Sequence, residues 1–397
     1  MKLPSTDIAA WRAAQFPFFV HKICLTHASV SPLPAHTRDA VKSYLDRISW
    51  QGQFDFVHDD IYHRCKERLA RLIGHGARAD EIGFAGSTSH ALGIVATGID
   101  WKPGDNCVVA DGDFPANVVT WKNLEHTHGV EVRLIPHRPC MDIGVDDIAP
   151  LVDARTRIVS LATANFLSGY AIDCAAIGKW LHERGVLFCV DAIQTLGAVA
   201  FDAEHVDFLC ADAHKWLLGP NGIALLWARQ GALEQIRPAI LGWLATKGRD
   251  DWYAYDTEPI ASGERFEPGA RNMLGVVALD ASLELLEATG KGEIESRVTH
   301  LRNYAAHQLQ EADCDLLWDP NSFRIPHSEI RNVSGIVSFQ PRHGQTADLY
   351  KHLDRHFALS LRNDRAGAEW IRVSAHYMNT EEDLDNLATS ITEFRAG

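Results

Sequence analysis

The stretch VDFLCADAHKWLLGPNGIALLWA, residues 206–228, holds one lysine between two strand-like apolar runs. Residues 206–210 are typical of one strand and residues 222–228 of another, with a Gly-Pro-Asn-Gly turn before the second. A lysine between buried strands costs free energy unless it is paired, exposed at the sheet edge or used chemically. On this stretch alone, Lys215 is more often an ordinary turn residue, so its role depends on what lies upstream.

Strand-like and helix-like patterns alternate upstream of this stretch. The predicted strands are residues 81–86, 106–111, 130–135, 157–162 and 186–191. The predicted helices are residues 59–74, 87–97, 117–125, 145–153 and 174–184. This α/β alternation predicts a mostly parallel sheet that is covered by helices on both faces.

The pattern changes after residue 231. Residues 242–271 are polar and aromatic and are predicted to be loop. Helices at 276–289, 293–313 and 381–394, with strands at 335–339 and 370–373, indicate a smaller α+β domain. We therefore expect a large domain at residues 20–260, and a small domain built from residues 1–19 and 261–397.

The composition excludes several classes of protein. It is 46% hydrophobic and 23% charged, as in a soluble globular protein, and the net charge of −14 argues against nucleic-acid or membrane surfaces as partners. No apolar run approaches the ~20 residues that span a bilayer, and the first residues lack a secretion signal. The eight cysteines contain no CxxC pair, which favours reduced thiols and a cytoplasmic location. The 20 histidines show no metal-ligand spacing, so no metal site is predicted.

Unusual side chains follow four predicted strands, and ligands of open α/β sheets bind at the carboxyl ends of strands. Residues 86–89 (Gly-Ser-Thr-Ser) open a helix and suit either a phosphate or a simple helix cap. Phe114 either packs on its own helix or faces the site, and Asn165 is either a ligand donor or a turn residue. Asp191 follows five apolar residues, so a buried carboxylate there needs a cationic or donor partner.

These parts together suit pyridoxal phosphate, which needs a lysine, a carboxylate for its ring nitrogen, an anion cradle and a ring platform. Three segments resemble the fold-type-I pyridoxal-phosphate enzymes of aminotransferase class V, a family with cysteine desulfurases and isopenicillin N epimerase-like proteins: VDAIQTLGAVAFD (190–202), ADAHKWLLGPNG (211–222) and IRVSAHYMNTEEDLDNL (371–387). The resemblance covers nearly the whole chain. It implies a seven-stranded, aspartate-aminotransferase-like large domain, pyridoxal 5'-phosphate as cofactor, a small amino-acid substrate and a homodimer.

The resemblance also implies a role for each candidate residue. Lys215 would form the Schiff base with the cofactor and move the proton, and Asp191 would pair with the ring nitrogen. Arg372 would hold the α-carboxylate of the substrate with a bidentate fork, although an arginine there also suits a surface salt bridge. Further cofactor contacts would come from Ser87, Thr88, Phe114, Asn165, Gln194 and His214.

Three departures from the family pattern limit what the resemblance implies. Asp212 stands where relatives have a phosphate-binding serine, and a second carboxylate there would repel a phosphate unless it points elsewhere or pairs with a cation. Ala270 replaces a threonine that reaches the partner subunit's phosphate, so that contact is lost or moves to Arg271 or to backbone. Residues 358–372 hold no cysteine, so a true desulfurase is not expected, because no thiol there accepts sulfur.

The expected chemistry is therefore bond breaking at the Cα of an amino acid. Aminotransferase-type chemistry is the leading expectation, and a β-eliminating C–S lyase or an epimerase of the desulfurase-like branch is the alternative. A third possibility is a non-catalytic relative that keeps the fold. His27, Arg362 and Arg365 are candidates to read the distal part of a substrate, although loop arginines are more often solvated.

Overall fold

The computed structural model describes residues 8–53, 60–318 and 333–396. Residues 1–7, 319–332 and 397 of the predicted small domain and residues 54–59 of the predicted large domain therefore lie outside the described ranges. The strands are β1 Ile23–Cys24, β2 Ile82–Ala85, β3 Asn106–Ala110, β4 Glu131–Ile135, β5 Thr156–Ala162, β6 Leu187–Asp191, β7 Phe208–Asp212, β8 Ala224–Ala228, β9 Cys314–Leu316, β10 Ile336–Pro341, β11 Phe357–Ala358, β12 Ser360–Asn363 and β13 Glu369–Ser374. The α-helices are α1 Ile8–Gln15, α2 Ala35–Gln51, α3 Asp60–Ile73, α4 Thr88–Gly98, α5 Ala116–Thr127, α6 Val145–Ile148, α7 Cys174–His182, α8 Gln230–Leu233, α9 Met273–Thr289, α10 Lys291–Glu311, α11 Thr346–Leu353 and α12 Glu381–Ala396.

The large sheet has seven strands in the order β2-β8-β7-β6-β5-β3-β4. Strand β8 is antiparallel to both of its neighbours, and the other pairs are parallel. Strand β2 therefore runs in the same direction as β7, and the carboxyl ends of six strands meet at one edge. The mostly parallel, seven-stranded sheet predicted from the sequence is confirmed.

Both faces of this sheet are buried under helices. Along β3, Cys107 and Val109 belong to the core cluster shared with α4 and α5, whereas Val108 and Ala110 belong to the cluster shared with α3, α7 and α9. This alternation follows from the period of two in a strand, and it explains why the strands are continuous apolar runs.

A second core surrounds the antiparallel sheet β12-β13-β10-β9, on which α10, α11 and α12 pack. Helix α9, which a boundary at residue 261 assigns to the small domain, packs on α2 and α3 in the core of the large sheet. Residue 261 as the start of the small domain stays a prediction.

The sequence patterns miss α2, α11 and the short strands β9, β11 and β12. Helix α2 is mostly solvent-exposed and buries only Ala35, Thr37 and Tyr44, so it lacks a strong apolar stripe. Strand β7 extends two residues beyond the predicted end at Cys210, because Asp212 pairs with Ala224 of β8. In the described ranges, no helix combines the length and the apolar character needed to cross a membrane.

Candidate active site

A cavity of about 290 Å³ lies at the edge where the carboxyl ends of the large sheet meet. Its walls come from the segments that follow β2, β3, β5, β6 and β7, from the loop after β1, and from β12 and β13 of the small domain. Of the residues singled out in the sequence, those in the lining are Ser87, Thr88, Phe114, Asp191, Gln194, Asp212, His214, Lys215, Arg362 and Arg372.

Lys215 follows β7 by three residues and is only 7% exposed. Burial lowers the pKa of Lys215 to about 8, against a smaller upward effect of the Asp191 carboxylate. Within the described residues its amine makes no ion pair, and Nζ lies 5.5 Å from the centroid of the Phe114 ring. The side chain is therefore a buried amine that loses its proton more readily than an exposed lysine does.

Asp191 is the last residue of β6 and is 2% exposed. Burial raises its pKa to about 7, while a hydrogen bond from the Ile193 amide to Oδ1 and the Lys215 cation act in the opposite direction. In the described part of the chain, the other oxygen makes no hydrogen bond. Asp191 thus presents an acceptor oxygen to the cavity and needs a cationic or donor partner there.

The start of α4 forms one end of the cavity. The Ser87 hydroxyl accepts a hydrogen bond from the His90 amide at 3.1 Å, so Ser87 acts as the helix cap while also lining the cavity. The Thr88 hydroxyl is buried and has no hydrogen-bond partner among the described residues. A helix start with free N–H groups and an unpartnered hydroxyl suits an anion.

Phe114 is 43% exposed and lines the cavity. Its ring meets the ring of Phe166 edge-on at 5.4 Å between centroids. The aromatic wall therefore faces the site, which is the second of the two interpretations that the sequence left open.

Gln194 is buried in the wall behind Lys215. Its side-chain nitrogen donates to the Ala28 carbonyl, and its oxygen accepts from the Trp216 indole, each at 3.1 Å. These bonds fix the amide at the cavity wall. Its predicted contact with the cofactor ring stays a prediction.

The structure places Asn165 and His27 outside the cavity lining. The Asn165 side-chain oxygen accepts from the amides of Leu167 and Ser168, so this residue shapes its own turn. His27 is fully buried, and burial lowers its pKa well below the usual value. Its Nδ1 lies 2.7 Å from the Ser31 hydroxyl, which donates to the Lys215 carbonyl. His27 therefore supports the backbone behind Lys215 rather than facing a substrate.

Two arginines of the small domain reach the cavity from the antiparallel pair β12 and β13. Arg372 is 2% exposed and donates to the Phe166 carbonyl and the Ser29 hydroxyl, and its Nε has no partner in the described chain. Arg362 donates to the same Ser29 hydroxyl at 3.1 Å. Burial lowers the pKa of Arg372 to about 9, with Arg362 adding to the effect. Neither guanidinium has a carboxylate within 4 Å among the described residues, so the pair is ready to bind an anion.

Arg365 does not join this pair. It lies in the short hairpin between β12 and β13, is largely exposed, and pairs with Asp111 at 3.0 Å. The Asp364 carboxylate closes the hairpin by accepting from the amides of Ala366 and Ala368. Arg365 thus links the hairpin to the large domain outside the cavity lining.

Among the described residues, no cysteine lines the cavity. All eight cysteines lie within the described ranges as free thiols; seven are buried, and Cys140 is half-buried and donates to the Leu317 carbonyl. Burial raises the pKa of the Cys140 thiol, which makes it a poor nucleophile.

Two further departures are visible in the structure. Asp212 lines the cavity, and its Oδ1 lies 2.8 Å from Nδ1 of His214. Arg271 points into the large domain, where it pairs with Glu264 at 2.8 Å and lies 3.7 Å from the centroid of the Tyr62 ring. Its head is therefore engaged within its own chain, while Ala270 is exposed.

Ser29 and Phe166 are site residues that the sequence reasoning missed. Ser29 lies in a loop that reaches the cavity through the pairing of Thr26 with Ser374, a contact between residues far apart in sequence. No local pattern distinguishes this serine from its neighbours. Phe166 follows Asn165 directly, and a search for aromatics after strand ends would have found it.

The residues present fit pyridoxal phosphate. The reactive amine is Lys215, the carboxylate with a free oxygen is Asp191, the orphaned buried hydroxyl at a helix start is Thr88, and the aromatic wall is Phe114. This set, at the carboxyl edge of a mostly parallel sheet, defines a pyridoxal-phosphate enzyme with the aspartate-aminotransferase type of fold.

The family model of aminotransferase class V matches residues 23–387, and the chain belongs to this family. A protein of Methanothermobacter thermautotrophicus named "probable cysteine desulfurase" is 25% identical over 95% of this chain and 96% of its own length. An apo cysteine desulfurase structure from Thermococcus onnurineus matches with a TM-score of 0.85 at 22% identity, over 99% of both chains. A cystine C–S lyase in complex with its product cysteine persulfide matches with a TM-score of 0.84 at 21% identity, over 96% of this chain and 99% of that one.

These comparisons confirm the predicted family, fold, enzyme class and cofactor. Aminotransferase-type chemistry, the leading expectation from the sequence, receives less support than the C–S lyase alternative, because these relatives carry the names cysteine desulfurase and cystine C–S lyase. A cysteine desulfurase of Escherichia coli, for example, is 26% identical over 82% of this chain and 80% of its own length.

Proposed function

We propose that this protein is a pyridoxal-phosphate-dependent β-eliminating C–S lyase that acts on cysteine or a cysteine-derived amino acid such as cystine. The observation that carries the proposal is a cavity without a thiol in a chain whose relatives are named for sulfur removal from cysteine. A desulfurase transfers sulfur to its own thiolate, and no cavity residue here is able to accept it. The sulfur must then leave on the small molecule.

The substrate is held by charge. Buried Arg372 and partly buried Arg362 bring two guanidiniums to one hydroxyl, Ser29, where neither has a carboxylate partner within the described ranges. Two like charges in such a place are stabilised by a bound anion. Arg372 binds the α-carboxylate of the substrate with its remaining donors, and Arg362 binds a polar or acidic group at the distal end of the substrate side chain.

The proton is moved by Lys215. Burial keeps its amine easily deprotonated near neutral pH, so it takes the α-proton of the bound amino acid. Asp191 would hold a proton on the ring nitrogen of the bound cofactor, which would supply an electron sink for the charge that develops at Cα. Breaking the Cβ–S bond expels the sulfur with its electron pair as sulfide or persulfide. The 2-aminoacrylate that is released hydrolyses to pyruvate and ammonia.

Product analysis tests the proposal. The holoenzyme is incubated with L-cystine or L-cysteine in the absence of any 2-keto acid, and pyruvate, ammonia and alanine are measured together with sulfur in the small-molecule fraction. We expect pyruvate and ammonia in equal amounts, with the sulfur in small molecules. Alanine with sulfur bound to the protein indicates a desulfurase, and a keto acid without free ammonia indicates a transaminase; either result refutes the proposal. Lys215→Ala, as the control, should produce no pyruvate.

We also propose a cytoplasmic homodimer. Eight free thiols suit a reducing compartment. Trp252, Tyr253 and Tyr255 are each more than three-quarters exposed in one loop, and an aromatic surface of this kind is typical of an interface. Light scattering during size-exclusion chromatography should give a mass of twice 44.0 kDa, and a monomer would contradict this part of the proposal.

A further inference from the structure

Asp212 and His214 form a buried pair at the carboxyl end of β7. Oδ1 of Asp212 lies 2.8 Å from Nδ1 of His214, and the two side chains are 7% and 17% exposed. Both atoms are buried, and despite the short distance neither makes a hydrogen bond of regular geometry with any described residue, the other included. The carboxylate and the ring nitrogen are thus each other's only close polar partners in the described chain.

This pair shares one cavity with the start of α4. Thr88 contributes a buried hydroxyl without a partner, and the helix start contributes free N–H groups, so this end of the cavity attracts an anion. A carboxylate beside an anion is unfavourable by itself. Asp212 is acceptable there only if a cation stands between its charge and the anion.

We propose that Asp212 is a positioning residue that acts through His214 to bind the phosphate group of the cofactor. The carboxylate accepts the Nδ1–H of the imidazole and fixes the ring, so that Nε2–H is presented to the phosphate. A ring placed between these two acceptors would donate one hydrogen bond from each nitrogen. The neutral donor expected from the family pattern at residue 212 is thereby replaced by a charge-assisted donor at residue 214. This inference rests on the cofactor and is independent of the reaction proposed above.

Tryptophan fluorescence measures the binding of pyridoxal and of pyridoxal phosphate to the full-length apoprotein. The dissociation constant of pyridoxal divided by that of pyridoxal phosphate gives the contribution of the phosphate group to cofactor affinity. Pyridoxal lacks only the phosphate, so general damage to the ring site changes both constants and leaves the ratio unaltered. Asp212→Ala should lower the ratio roughly tenfold to a hundredfold, the effect of one charge-assisted hydrogen bond. Asp212→Asn keeps an acceptor for Nδ1–H and should give an intermediate ratio. This variant replaces Asp212→Ala in the test if the alanine variant does not fold.

The effect of Asp212→Ala on the affinity for pyridoxal phosphate should differ in a variant that lacks His214. In His214→Gln protein, Asp212 has lost its cation, so the further change Asp212→Ala should leave the affinity for pyridoxal phosphate unchanged or improve it. The matched control is Asp207→Asn, which disrupts a buried carboxylate that lies 3.0 Å from His182 and 2.6 Å from Arg229, next to the amino end of the same strand. It should lower stability without changing the ratio.

The proposal is overturned if Asp212→Ala leaves the ratio unchanged or raises it, since Asp212 would then be neutral or repulsive toward the phosphate. It is also overturned if Asp212→Ala weakens binding equally in the presence and absence of His214, because Asp212 would not act through the histidine. Inorganic phosphate provides an independent test, because it competes with pyridoxal phosphate for binding to the apoprotein. It should inhibit cofactor binding less in the Asp212→Ala protein than in the parent protein.

Discussion

Replacing Arg372 with lysine tests how the substrate is held. The guanidinium has five N–H groups; one donates to the Phe166 carbonyl and one to the Ser29 hydroxyl, which leaves three, including the buried and unpartnered Nε–H. Two of these form a fork for a carboxylate, whereas a lysine offers a single point of contact. Losing one charge-assisted hydrogen bond costs roughly 1.5–3 kcal/mol, so kcat/KM for the amino acid should fall about 10- to 150-fold, chiefly through KM.

Steady-state kinetics measured as pyruvate release provide the assay, and visible absorbance of the bound cofactor shows that the variant is folded and loaded. Arg342→Lys is the matched control, because Arg342 is a half-exposed arginine paired with Asp313 and Asp315 and should change kcat/KM less than twofold. If Arg372→Lys keeps kcat/KM and KM within twofold of the parent protein, the assignment of the carboxylate fork to Arg372 is wrong.

Three shorter predictions follow from the same geometry. Cys140→Ser should keep lyase activity within about twofold, since this half-buried thiol is outside the cavity lining; a loss above tenfold would mean that a thiol takes part. The rate at which apoprotein captures the cofactor should rise with pH and level off above about 8, because the neutral amine of Lys215 reacts, and a rate independent of pH between 6 and 9 would contradict this. Gly83→Ala should lower the free energy of unfolding by about 1–3 kcal/mol in urea titrations, because its Cβ would lie 2.3 Å from the Gly263 carbonyl oxygen. Gly93→Ala, where the new Cβ meets no atom within 4 Å, should be neutral or stabilising, and equal effects of the two changes would refute the steric explanation.

The sheet and the residues at its strand ends were predictable because local sequence carries the signal. Each parallel strand is a buried apolar run, and Asp191 interrupts one of these runs at its last position. The lysine after β7 and the hydroxyls at the start of α4 follow in the same way, since the carboxyl ends of parallel strands meet at one edge.

Other parts of the site depend on contacts that no local pattern contains. Ser29 reaches the arginines through the pairing of the first loop with β13. Asn165 and His27 have the residue types of ligands, but the Asn165 side-chain oxygen and Nδ1 of His27 form hydrogen bonds within their own loops. The reaction type could not be predicted from the sequence either, because proton removal at Cα requires the same lysine and carboxylate in a transaminase and in a lyase.

Finding the lysine that carries the cofactor tests the central claim most directly. The holoenzyme is reduced with borohydride, digested and mapped by mass spectrometry, which locates the pyridoxyl-phosphate group on the chain. We expect a single modified site, Lys215, within residues 206–228, with Lys215→Ala protein unmodified under the same conditions. A label on another lysine, or a holoenzyme with no covalently bound cofactor, would contradict the assignment of Lys215 and the active site built around it.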